Sequence, residues 1–176
     1  MKEQIILSGT CFWSLEAVYQ KINGILSVES GYYHLHNYDF KFRDEDKIES
    51  VKLEYEDGIS LLEILNIFYS IHNPTMNSWI KKDCFSYYHR SSIIYETDKQ
   101  KTIAEEKIKE VNKEKLFESD VTTKLIKYIA DQKTFKIAPE SDCNYYNKNP
   151  NDGFSKSIIL PKLEKINEQF STLYNI

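Results

Sequence analysis

QIILSGTCFWSLEAVYQKI, residues 4–22, decides how the chain starts to fold. Gln4–Ser8 is a short apolar run of strand length. Phe12, Leu15, Val18, Tyr19 and Ile22 then recur on one helical face. The spacing predicts a helix that Gly24 stops, which leaves Cys11 at a strand-to-helix turn. There a thiol faces backbone N–H groups without helical partners and the positive end of the helix dipole, and both favour the thiolate. Position alone suits a second reading equally. Free cysteine packs like a small hydrophobe, and Cys11 with Phe12 and Trp13 would then be core.

Working outward, ILSVESGYY (25–33) alternates as a strand, 34–47 is polar and irregular, and KIESVKLEYE (47–56) alternates strongly. Ser60 with Glu63 forms a capping box for a helix to about Ile71, and Pro74 lies just beyond it. Residues 75–89 read as a loop and SSIIYE (91–96) as a strand. Thr97 with Gln100 caps a second helix that buries Ile103, Ala104, Ile108 and Val111. VTTKLIKYI (121–129) and TFKIA (134–138) are further strand candidates, and KNPNDG (148–153) is turn chemistry. PKLEKINEQF (161–170) reads as a helix begun by proline, within a tail (154–176) expected to pack as a strand and a helix. This order predicts an α+β protein: a ferredoxin-like α/β sandwich core with a mixed sheet and an additional C-terminal segment. Residues 1–150 form one domain, and 151–176 an extension packed on it.

Composition narrows the function. With 176 residues, 41% hydrophobic and 14% aromatic, the chain can bury a real core without covalent staples. A net charge of −4, with lysines interspersed among glutamates, argues against nucleic-acid and acidic-membrane partners. Three cysteines, Cys11, Cys84 and Cys143, do not make a disulfide framework and fit a reducing cytoplasm. No run approaches membrane-spanning length, and residues 1–10 lack a signal-peptide core. His34, His36 and His89 match no usual zinc-ligand spacing, so no metal is expected, and five glycines offer no phosphate-binding loop.

Glu49 breaks the pattern of its strand. It shares a face with Val51, Leu53 and Tyr55, so the alternation that buries them turns a carboxyl toward the core side. Burial there would raise its pKa and make it a proton donor near neutrality. At the strand's mouth in water it would do nothing. KKDCFSYYHR (81–90) gathers Asp83, Cys84, Tyr87, Tyr88 and His89, either as a polar ligand shell or as a solvated loop.

A cysteine at a strand–helix turn, aromatics beside it and a carboxyl on a core-facing strand together resemble the A-type peptide methionine sulfoxide reductases. The family hallmark, Gly-Cys-Phe-Trp followed by a glutamate, reads here within TCFWSLEAVYQKINGILSVESGY (10–32). The likeness continues through IESVKLEYEDGIS (48–60), LLEILNIFYSIHNPT (61–75), Asp83, YHRSSIIY (88–95), VTTKL (121–125) and NYYNKNP (144–150). The resemblance implies that Cys11 attacks the sulfoxide sulfur and Glu49 protonates its oxygen. It also implies that Tyr38 and Tyr88 contact that oxygen, that Asp83 stands near the substrate, that Phe12 and Trp13 hold the methyl group, and that Tyr145 lines the site. It further implies the S epimer of methionine sulfoxide, free or in proteins, as substrate, a Cys11 sulfenic acid as intermediate, no bound cofactor, and a thioredoxin-like external thiol as reductant.

This chain departs from the pattern in identifiable places. Thr10 replaces the glycine before the nucleophile, YHLH (33–36) replaces Gly-Gly, and WIKK (79–82) precedes Asp83. One extra residue between Asp83 and Arg90 leaves His89 as well as Tyr88 open for the second tyrosine's place. Asp142-Cys143 replaces His-Gln, and 151–176 holds no cysteine, so Cys84 and Cys143 are the internal candidates to resolve the sulfenic acid. A binding or regulatory protein with weakened turnover is the alternative reading.

Overall fold

The computed structural model describes residues 2–35, 47–76, 87–129 and 134–175. Its strands are β1 (Glu3–Ser8), β2 (Ile25–His34), β3 (Lys47–Tyr55), β4 (Ser92–Tyr95), β5 (Lys124–Lys127) and β6 (Phe135–Ile137). Its α-helices are α1 (Phe12–Tyr19), α2 (Leu61–Ile71), α3 (Asp98–Lys113), α4 (Tyr145–Lys148) and α5 (Leu160–Gln169). The sheet order is β5-β4-β1-β3-β2-β6. Every neighbouring pair is antiparallel except β4 with β5. The inner run β4-β1-β3-β2, with α1 and α2 as crossovers, is the expected ferredoxin-like arrangement, and the parallel β5 makes the sheet mixed.

β1 lies in the middle of the sheet, so both its faces are buried and its sequence is an unbroken apolar run. Ile5 and Leu7 face the main core with Val51, Leu53, Leu15, Val18, Leu65 and Phe68. Ile6, Tyr33, Ile48 and Ile94 form a smaller cluster on the other face. Both predicted capping boxes are present. Ser60 Oγ accepts from Glu63 N–H and Thr97 Oγ1 accepts from Gln100 N–H, each at 3.2 Å, and each partner side chain returns the bond. Such caps each hold roughly 1 kcal/mol of helix stability.

Two predicted elements differ. The first helix ends at Tyr19 rather than near Gly24, because residues 20–24 turn sharply and Gly24 takes φ +88°, a left-handed conformation that suits glycine. The tail is helical as far as Gln169, where a strand followed by a helix was expected. Ser155–Ile159 is a π-helical turn that runs directly into α5. The wide turn precedes Pro161, whose ring cannot follow an ordinary α-turn without striking the preceding carbonyls. Ile159, Leu163 and Ile166 are buried in the main core. The chain then returns to the end of α1: Asn23 N–H donates to the Leu173 carbonyl and Asn175 N–H to that of Lys21. Covered by this segment, α1 is buried on nearly every side and is not the two-sided helix its pattern suggested.

Candidate active site

The site lies where β1 and β3, adjacent central strands, present opposite ends of their chains to one spot. Register pairs Leu7 with Val51, and just beyond it Ser8 Oγ donates to the Glu49 carbonyl at 2.5 Å. Three residues past Ser8, Cys11 is the N-cap of α1. The first helical N–H, that of Phe12, is taken by Glu49 Oε2 at 3.1 Å. Glu49 thus serves as the outside partner of the helix start, a favourable place for a negative charge. Strand parity carries it there, on the face of Val51 and Leu53.

The sequence argument expected helix-start N–H groups to favour a Cys11 thiolate. The structure places Cys11 the other way: its pKa is pushed up to about 12. Burial is the main cause, and the nearby Glu49 charge and a hydrogen bond to the Glu49 side chain add to it. A backbone hydrogen bond from Trp13 and the charge of Lys162 pull the other way without winning. In the resting site the thiol keeps its proton, with its sulfur within 4.8 Å of a Glu49 oxygen.

His89 stands against this pair. It closes a short 3-10 turn (Tyr87–His89) before β4, and its Nε2 lies 3.4 Å from Glu49 Oε2. Tyr88 lies on the Tyr32 side of the site: the Lys47 ammonium sits over both rings, 5.0 Å from that of Tyr32 and 5.7 Å from that of Tyr88. Ligand atoms of Cys11, Glu49 and His89 all fall within 4.8 Å of one another, a set able to hold a metal ion. With side-chain exposures of 16% for His89 and 19% for Glu49, both can be reached from outside.

An aromatic wall completes the hollow. Phe12 packs against Tyr32 at 5.4 Å between ring centroids. Trp13 stacks on Tyr145 at 3.6 Å and 7°, with the Phe154 edge against it. Tyr145 is pinned at both ends: its N–H donates to Glu16 at 3.3 Å, and its hydroxyl donates to Asp152. Glu16 is buried within α1, so the glutamate of the TCFWSLE stretch works as a backbone anchor for α4. Tyr32 pairs with Glu49 across β2 and β3, and burial followed by the Glu49 charge raises its pKa to about 12, keeping its hydroxyl a donor.

Cys143 is a free thiol whose Sγ lies 3.6 Å from the Ala138 carbonyl, and burial raises its pKa. Tyr38, Asp83 and Cys84 lie outside the described residues. Among histidines, His72 is excluded as a base for Cys11. Its Nδ1 donates to the Phe68 carbonyl at 2.7 Å, so Nε2 is the unprotonated nitrogen and accepts from Ser91 Oγ at 3.0 Å. Burial lowers its pKa to about 4.

Sequence reasoning missed Lys162, Tyr32 and the role of Glu16. Lys162 comes from α5, and its Nζ donates to Thr10 Oγ1 at 3.2 Å, placing a cation beside the turn that carries Cys11. Burial lowers its pKa, and the proximity of Cys11 offsets part of that. No local pattern signals a contact spanning 152 residues. Tyr32 was accessible: once β2 and β3 pair, the strand phase that exposes Glu49 to the site exposes Tyr32 too. Two openings flank the cluster, one of about 560 Å³ reaching Thr10, His89 and Lys162, the other of about 350 Å³ reaching Tyr32 and Lys47.

Comparison with known proteins gives a consistent picture. The sequence model of one family, peptide methionine sulfoxide reductase, matches residues 3–174. A peptide methionine sulfoxide reductase MsrA of Campylobacter jejuni is 36% identical over 168 residues, covering 93% of this chain and 98% of that protein. In fold, the chain is similar to reduced Mxr1 of Saccharomyces cerevisiae, with a TM-score of 0.65 at 22% identity over 86% of this chain and 87% of that one. It is equally similar to methionine sulfoxide reductase A of Corynebacterium diphtheriae, with a TM-score of 0.65 at 18% identity over 86% and 76%.

Proposed function

The chain belongs to the peptide methionine sulfoxide reductase family, and from that premise we propose that it reduces methionine-S-sulfoxide, free or in proteins, through a sulfenic acid on Cys11. The observation that carries this reading is the Cys11–Glu49 pair, a thiol whose sulfur lies within 4.8 Å of an oxygen of the carboxylate that the Phe12 N–H holds in place, beside an aromatic wall.

A sulfoxide oxygen bears partial negative charge, and the sulfur resists attack until that oxygen is hydrogen-bonded or protonated. The pair holds one proton where the reaction needs it. In the resting state the thiol carries it. When the substrate oxygen arrives, passing that proton to Glu49 creates a nucleophile and an acid in one step. Glu49 hands the proton to the oxygen as Cys11 Sγ attacks the sulfur. Oxygen and proton end on Cys11 as a sulfenic acid, and methionine leaves. Tyr32 and His89 are placed to donate further hydrogen bonds to the oxygen, and Phe12 with Trp13 receives the methyl group. Lys162 steadies the charge that builds on Cys11. One thiol then condenses with the sulfenic acid, releasing water, and a second reduces the mixed disulfide. Cys84 and Cys143 are the internal candidates, and a thioredoxin-like protein supplies the electrons. The intact pairing of Cys11 with Glu49 favours turnover over a binding-only role.

The test is reduction of each methionine sulfoxide epimer with dithiothreitol. The expected result is activity on the S epimer alone, none in Cys11→Ser, and a loss of about 10²–10⁴-fold in Glu49→Gln, the usual worth of a positioned acid. Equal rates on both epimers, or a wild-type rate in Glu49→Gln, overturns the assignment.

A further inference from the structure

We propose that Cys11, Glu49 and His89 also form a reversible binding site for a divalent transition metal, with zinc the best fit, and that its occupancy masks the nucleophile. The three ligands come from the turn after β1, from β3 and from the turn before β4. Only the fold brings them together, which is why their sequence spacing carries no zinc signature.

The geometry is close to what zinc takes. With Zn–N and Zn–O near 2.0–2.1 Å, a tetrahedral N···O edge is about 3.3 Å, and the observed His89 Nε2–Glu49 Oε2 separation is 3.4 Å. An S···N or S···O edge is about 3.5 Å. The Cys11 sulfur lies within 4.8 Å of both partners, so it closes the site by moving on the order of 1 Å, within the reach of a side-chain adjustment. The donor set of thiolate, imidazole and carboxylate suits zinc, whereas calcium and magnesium want oxygen alone. The Phe12 N–H already holds the Glu49 carboxylate in place, the kind of outer support that metal ligands use. Three protein ligands leave a fourth position facing the substrate hollow.

On binding, the Cys11 thiol gives its proton to solvent and its sulfur lone pair to the metal, so it cannot attack sulfur. The Lys162 ammonium acts on Cys11 from the opening that His89 also lines and opposes a second cation. The site is therefore weaker than a closed four-ligand structural one, and a chelator empties it. Binding stands on geometry alone, and the resulting inhibition rests on the reductase reading above.

Cobalt(II) titration of the reduced full-length chain, without added thiol, tests the site. We expect one equivalent to give tetrahedral d–d bands with a thiolate charge-transfer band, displaced by zinc. Both should vanish in Cys11→Ser and weaken at least about tenfold in His89→Tyr and in Glu49→Gln. Survival of the bands in Cys11→Ser, their absence from wild type, or unchanged affinity in His89→Tyr overturns the proposal. In the second arm, single-turnover methionine formation is measured with and without one equivalent of zinc, because dithiols chelate the metal. Zinc should abolish it and a chelator restore it, whereas turnover unaffected by bound zinc overturns the masking. If the chelated protein makes no methionine at all, the reductase reading fails while the cobalt spectra still decide the site.

Discussion

Gly9→Ala is the substitution whose cost the structure defines best. A Cβ at Gly9 would lie 2.6 Å from His72 Cδ2 and 2.7 Å from Nε2, where ordinary contact begins at 3.4 Å. Something has to give by roughly 0.8 Å. The imidazole is badly placed to do so. Its Nδ1 is bonded to the Phe68 carbonyl, its Nε2 to Ser91 Oγ, and its face packs on the Phe68 ring at 4.1 Å. A retreat of that size stretches the 3.0 Å bond to Ser91 beyond hydrogen-bonding range. One lost buried hydrogen bond costs about 1–3 kcal/mol, and overpacking adds about 1–3 kcal/mol. We expect a total loss of about 2–6 kcal/mol by urea denaturation. If the backbone yields instead, Cys11 moves with it, and a shift of about 1 Å would slow sulfoxide reduction by roughly 10²-fold. His72→Ala removes the obstacle, so Gly9→Ala in that background should cost far less. An unfolding free energy within about 0.5 kcal/mol of wild type, or an equal penalty with and without His72, refutes the reasoning.

Three further outcomes follow from the geometry. Lys162→Met removes a cation that lowers the Cys11 pKa and should slow iodoacetamide alkylation of Cys11, while Lys162→Arg keeps most of the rate. His72 titrates at about 4 when folded and near 6.5 when unfolded. The unfolded chain therefore takes up the proton first as pH falls, so stability from this group is full above about pH 6.5 and falls by about 3 kcal/mol toward pH 4; denaturation midpoints against pH should show that slope flattened in His72→Gln. Glu16→Ala frees the Tyr145 N–H and should cost about 1.5–3 kcal/mol of stability with KM raised more than kcat lowered. Glu16→Gln, which still offers an acceptor, should recover much of both in thermal melts and steady-state kinetics.

What the sequence made legible depended on how local the cause was. The capping boxes at Ser60 and Thr97 need residues only three apart, and both formed where expected. Glu49 was readable because period-2 alternation fixes a side chain's face with no knowledge of the partner strand. The thiol of Cys11 was not. Burial pushes the thiol pKa up and the Glu49 charge adds to it, while the Trp13 N–H at the helix start pulls it down without winning. Nor could counting residues show that His89 meets Glu49, since that depends on which side of a 3-10 turn faces the carboxylate. The tail misled because an apolar run before a proline reads as a strand followed by a helix, whereas a π-turn lets one helical run pass through both. Thr10 and Lys162 explain each other only in space: the hydroxyl at position 10 accepts from a lysine on the final helix.

The face-to-face stack of Trp13 on Tyr145 gives the molecule an optical property. The chain has two tryptophans, Trp13 and Trp79. In a Trp79→Phe background the remaining indole would be the sole emitter near its wavelength, pressed against the Tyr145 phenol in the aromatic wall. Any guest that parts or replaces that neighbour alters the brightness and colour of the emission. Occupancy of the hollow could then be followed in real time, without a label and without waiting for the chemistry to finish.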